Sequence, residues 1–96
     1  MQRDIVLNLL RQYKGENFEK YGILTLGLFG SVARNEANNE SDIDICIQTK
    51  VPDMFNIIHI KDELQTLFSS KVDIVRVREK MNPFLKKRIE KDAIYV

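Results

Sequence analysis

The sequence predicts an α/β (α+β) domain, a small mixed β-sheet with helices packed mainly on one face. Three observations carry this expectation. Apolar runs rich in β-branched residues, at 23–29, 43–48 and 72–77, have the length and composition of strands. Between them lie segments whose apolar residues recur at three- and four-residue spacing, the period of a helix. The link from the first run to the second is short and allows an antiparallel pair. That from the second to the third holds a full helix, so those two strands should be parallel with a right-handed crossover.

In chain order, Ile5, Val6, Leu9, Leu10 and Tyr13 place an apolar stripe on a first helix, expected to end near Gly15 and to pack on the sheet. Residues 23–29 form the first strand, and 32–36 begin a short helix. Asn38, Asn39, Glu40 and Ser41 then turn the chain into the second strand. Pro52 breaks it, and Asp53 caps a helix whose apolar positions are Phe55, Ile58, Leu64, Leu67 and Phe68, ending around Ser69 and Ser70. After the third strand, Asn82 and Pro83 supply a cap and a first-turn proline for a last helix, and 93–96 reads as a short terminal strand. A chain of 96 residues supports one domain, residues 1–96. It buries about 60 to 70% of its unfolded surface.

Chemistry concentrates in two stretches. Residues 24–29 are an apolar run that ends in Gly30, and Ser31 opens a helix-compatible segment, so backbone amides and a hydroxyl meet at a helix start, where anions bind. Asp42 and Asp44 stand two apart in a β-branched context, and a strand sends such residues to one face. Two carboxylates on one face repel, and their burial costs several kcal/mol per charge unless a cation lies between them. Magnesium, a hard cation that shares its shell with substrate phosphates, suits them. Asp73 adds a third acid, flanked by Val72 and Ile74 in a strand where an inward carboxylate makes sense only at a site. The other reading of Asp73, an outward residue on an exposed face, is the weaker one. Together the three acids have the makings of a two-metal site of the kind used in phosphoryl chemistry.

Composition sets limits on the alternatives. Fifteen basic and fourteen acidic residues give a net charge of +1, so no global field supports nucleic-acid binding. The first residues show no signal peptide and no apolar run approaches about 20 residues, so a cytoplasmic location without membrane association is expected. The single cysteine, Cys46, lies between Ile45 and Ile47 and reads as a small core residue. His59, without a second ligand at metal spacing, reads as a partly exposed helix residue. Lys86, Lys87 and Arg88 read as a solvated face near a helix C-terminus in preference to a phosphate contact. Arg34, one turn after Ser31, is balanced between steadying a triphosphate and making a surface ion pair. Lys50 and Arg76 are weaker phosphate candidates.

Gly30-Ser31, ten intervening residues, Asp42-Ile43-Asp44 and then Asp73 on a later strand resemble the nucleotidyltransferase superfamily typified by DNA polymerase beta and kanamycin nucleotidyltransferase. The closer resemblance is to the minimal nucleotidyltransferase (MNT) domain, the antitoxin of HEPN/MNT toxin–antitoxin pairs. It covers nearly the whole chain, without departure at the motif positions. It implies the same mixed-sheet fold, with Asp42, Asp44 and Asp73 as catalytic metal ligands and Gly30, Ser31 and Arg34 on the nucleotide. It implies two Mg2+ ions, ATP as substrate and a HEPN-domain ribonuclease as partner, which would supply the acceptor-binding part and a tyrosine hydroxyl to receive AMP. Two other readings stay open: a non-catalytic antitoxin that masks its partner by binding, and a transferase acting on a small molecule or nucleic-acid end.

Overall fold

The computed structural model describes residues 2–96; Met1, part of the stretch read as free of a signal peptide, lies outside them. Helix α1 (Arg3–Tyr21) runs past Gly15, where the sequence suggested it would stop. A glycine inside a helix costs about 1 kcal/mol relative to alanine, too little to end a helix whose buried residues continue to Tyr21. The stop is Gly22, at φ 62°, whose N–H closes on the Glu19 and Phe18 carbonyls. Strand β1 (Ile23–Phe29) follows, then α2 (Gly30–Ala33), β2 (Ile43–Thr49), α3 (Met54–Phe68), β3 (Val72–Arg76), α4 (Pro83–Asp92) and β4 (Ile94–Tyr95). The expected caps are in place: Asp53 accepts from the Phe55 and Asn56 amides, and Asn82 from those of Phe84 and Leu85.

The sheet order is β3-β2-β1-β4. β1 pairs antiparallel with β2, and β2 parallel with β3 through the α3 crossover, as the connection lengths predict. Strand alternation gives the sheet two apolar faces. On one, Leu26, Leu28, Ile43, Ile45, Ile47 and Val72 meet Val6, Leu10 and Tyr13 of α1 and Ile57, Ile60, Leu64 and Phe68 of α3. On the other, Phe29 and Cys46 pack under Ile89 of α4, with Val75, Val77 and Leu85 around them. Two long helices thus cover one face and the short α4 part of the other.

The buried stripe of α3 differs from the one expected. Leu64 and Phe68 are buried, but Phe55 is 78% and Ile58 53% exposed, Leu67 is also exposed, and Ile57 and Ile60 face the sheet instead. Ile57, Ile60, Leu64 and Phe68 follow one another at three- and four-residue spacing, so the inner stripe is itself periodic; Phe55 and Ile58 form a second apolar strip at the same kind of spacing that competes with it. Ile5 of α1 likewise points outward. Cys46 is fully buried, and His59 is exposed. Gly27, opposite both Cys46 and Tyr95, leaves room for that ring: a Cβ there would lie 2.9 Å from Tyr95 Cδ1 and 3.0 Å from Cys46 Sγ. Among the described residues, no helix is long and apolar enough to cross a membrane.

Candidate active site

The site is built at the end of β1 and the start of β2, on the sheet face that α4 leaves partly open. Ile43 and Ile45 belong to the core under α1 and α3, so Asp44 between them projects to the opposite face, the side of Cys46. Asp42 precedes β2 by one residue and shares the parity of Asp44. In the sheet ladder Asp44 lies between Phe29 on β1 and Asp73 on β3. The Ile43 N–H donates to the Lys71 carbonyl at 3.0 Å, which locks that register where the carboxylates begin. Asp44 is half-buried, whereas Asp73, on the edge strand, is exposed. The outward position of Asp73 and its place beside Asp44 are therefore compatible: the face is an open one.

Gly30 turns the chain out of β1 at φ 77°, a left-handed conformation that side chains resist. It also lies against Asp44: a Cβ at Gly30 would sit 3.0 Å from the Asp44 Cγ and collide with Oδ2. The phosphate-type turn and the carboxylate strand are thus in contact. Helix α2 begins at Gly30, two residues earlier than expected, and Arg34 and Asn35, the latter at φ 61°, end it. Val32 and Ala33 bury their side chains while Ser31 stays partly exposed. Phe29, the N-cap, supplies no side-chain acceptor, so the first-turn amides keep the anion-binding capacity of an uncapped helix start.

Electrostatics mark Asp44. Burial raises its carboxyl above the usual range, and the charges of Asp73 and Asp42 push the same way, while Arg88 and Arg34 oppose them. A carboxylate disfavoured by desolvation and by two neighbouring acids gains most from a bound cation. The all-oxygen donor set of Asp42, Asp44 and Asp73 fits Mg2+. Among the described residues no three Asp, Glu, His or Cys side chains already form a metal cage; the ladder pairs Asp44 with Asp73, and Asp42 stands two residues before Asp44.

Arg34 is bound on two sides, its Nε to Glu36 at 3.0 Å and its Nη1 to the mostly buried Asp92 at the end of α4, at 2.6 Å. It fastens the Gly30 turn to α4 and still acts on Asp44. Arg88, which the sequence groups with Lys86 and Lys87 on one solvated face, takes a place of its own. Its guanidinium lies over the Phe29 ring, 6.0 Å from the centroid, beside the carboxylate row. The signal that could have singled it out is Ile89, the one residue of α4 that is buried and so sets that helix's rotation. Lys50 follows the far end of β2 next to Gly22, and Arg76 alternates to the other side of β3 from Asp73; neither joins the carboxylates.

A family profile described as a nucleotidyltransferase domain matches residues 10–96. Over 92 residues the chain is 40% identical to a candidate protein adenylyltransferase of Methanocaldococcus jannaschii, covering 95% of this chain and 94% of that protein. The solved structure of a candidate minimal nucleotidyltransferase superposes with a TM-score of 0.78 at 27% identity, over 98% of this chain and 95% of that one. A chain from the complex of a tri-AMPylated Shewanella oneidensis HEPN toxin with its MNT antitoxin shares the fold, with a TM-score of 0.63 at 21% identity, over 97% and 66%. Since the profile takes in all four strands and the whole carboxylate row, this chain belongs to the nucleotidyltransferase family.

Proposed function

We propose that this chain is a Mg2+-dependent protein adenylyltransferase that acts as an antitoxin, moving AMP from ATP to a tyrosine hydroxyl of a partner HEPN ribonuclease. The observation that carries the reading is the contact of the Gly30 turn with Asp44, itself in register with Asp73. Adenylyl transfer to protein is the activity named for the Methanocaldococcus relative, and an AMPylated HEPN toxin is bound in one of the structures sharing this fold.

Asp42 and Asp44 would hold one Mg2+ and Asp73 would join them in holding a second; bound there, the metal neutralises the triphosphate and the leaving pyrophosphate. Ser31 Oγ and the first-turn amides of α2 hold the terminal phosphates, and Arg34, oriented by Glu36 and Asp92, adds positive charge beside them. The acceptor oxygen attacks the α-phosphorus, the bond from that phosphorus to the bridging oxygen of the β-phosphate breaks, and pyrophosphate departs. Asp73, on the exposed edge strand, takes the hydroxyl proton. The open face around the three acids is where a protein acceptor would reach them.

The test is intact-mass analysis of a candidate HEPN ribonuclease incubated with this chain at a ratio of about ten to one, with turnover at ordinary enzymatic rates. ATP and Mg2+ should produce added AMP on tyrosine and loss of ribonuclease activity, and Asp73→Asn should prevent both. No added mass, with protection only at equal concentrations and without ATP, would establish a masking antitoxin instead.

A further inference from the structure

Helix α4 is anchored by Ile89, 3% exposed against Phe29 and Cys46, with partly buried Leu85 one turn earlier. That anchoring carries Arg88 over the Phe29 ring. Phe29 is both the cross-strand partner of Asp44 and the residue immediately before Gly30 and Ser31. Arg88 therefore stands above the junction of the phosphate turn and the carboxylate row, and its charge reaches Asp44.

Two arginines act on this junction, and they differ in what holds them. Arg34 is already paired with Glu36 and Asp92. Among the described residues Arg88 has no carboxylate within 4.0 Å and no side-chain hydrogen bond; its guanidinium lies over the ring of Phe29. A guanidinium placed by packing on an aromatic ring, and left without an acid, keeps its donor fork for an incoming anion. Resting on the nucleotidyl-transfer reading above, we infer that Arg88 is a substrate-binding residue that grips the nucleotide's polyphosphate from the α4 side. Residues 30 and 31 hold the same group from the α2 side. Within the basic run of α4, Arg88 is the residue that the helix's rotation about Ile89 sets over Phe29, beside the site.

Calorimetric titration with ATP and Mg2+, without any protein acceptor, tests this. Arg88→Met keeps an aliphatic cover on Phe29 and removes the charge. It should bind MgATP about tenfold more weakly or worse, with a melting temperature within about 2 °C of the wild type. Arg88→Lys, with charge but no fork, should fall between the two. The affinity of Arg88→Met should also depend less steeply on salt. Wild-type affinity in Arg88→Met overturns the assignment. If Arg88→Met melts early, Arg88→Lys decides: recovered affinity supports the phosphate role, and affinity as low as that of Arg88→Met overturns it. A chain that binds MgATP through Arg88 but transfers nothing to protein keeps this inference and overturns the proposed function.

Discussion

Gly30 shows how much one residue can settle. It meets two demands at once, a positive φ and the absence of a Cβ against Asp44. Gly30→Val should therefore disturb both the turn and the carboxylate, and cost more than Ser31→Ala. The serine variant loses one hydrogen bond to a charged phosphate, about 1.5 to 3 kcal/mol of MgATP affinity. Equal affinities for wild type and Ser31→Ala would remove the hydroxyl from the phosphate site. Asp44→Asn poses the complementary question. It should lower transfer by about a hundredfold or more, because metal-based charge stabilisation is worth several kcal/mol. Without metal the same variant should melt no earlier than the wild type, since it relieves burial of a charge and repulsion from Asp73 and Asp42. Full transfer by Asp44→Asn would eliminate the carboxylate site.

At the scale of elements, helices here owe their ends to local chemistry and their faces to the sheet. Asp53 caps α3 with two amide bonds, at 2.9 and 3.2 Å. Asp53→Ala should cost about 1 kcal/mol, seen as a drop of about 4 to 8 °C in melting temperature for a domain of this size. No change would mean that α3 is held by its packing alone. Gly15 offers the opposite case. It lies inside α1 with nothing within 4 Å of where its Cβ would be, so Gly15→Ala should stabilise the protein by about 0.5 to 1 kcal/mol. A lower unfolding midpoint in denaturant would contradict a continuous α1.

For the whole molecule, the open acidic face links stability to pH. The folded state raises the Asp44 pKa, so this group's stabilising contribution is complete below its unfolded pKa and is lost as pH rises through the folded value. Metal-free wild type should thus lose ground to Asp44→Asn on going from mildly acidic to neutral pH, and the gap in melting temperature should close again on acidification. Mg2+ should narrow the gap at neutral pH, because it binds the ionised form. A gap independent of both pH and Mg2+ would show that Asp44 titrates as an ordinary surface acid.

Much of this was legible in the chain itself. Strand number, the antiparallel and parallel pairings and both side-chain caps follow from short-range rules, since alternation, link length and capping chemistry act within a few residues. The spacing of Asp42 and Asp44 and the Gly30-Ser31 turn are local in the same sense; they point to a metal-assisted phosphate site, and the family resemblance they carry adds nucleotidyl transfer. Tertiary structure decided what depends on contacts distant in sequence. It chose Ile57 and Ile60 over Phe55 and Ile58 as the inner face of α3, because two apolar strips at helical spacing share that stretch and packing on the sheet selects one of them. It carried α1 through Gly15, because continuing burial outweighs a small local penalty. It joined Arg34 to Asp92 across 58 positions and set Arg88 above Phe29. No spacing rule foretells either contact, because both are fixed by how Ile89 seats α4 on a sheet that exists only once the chain has folded.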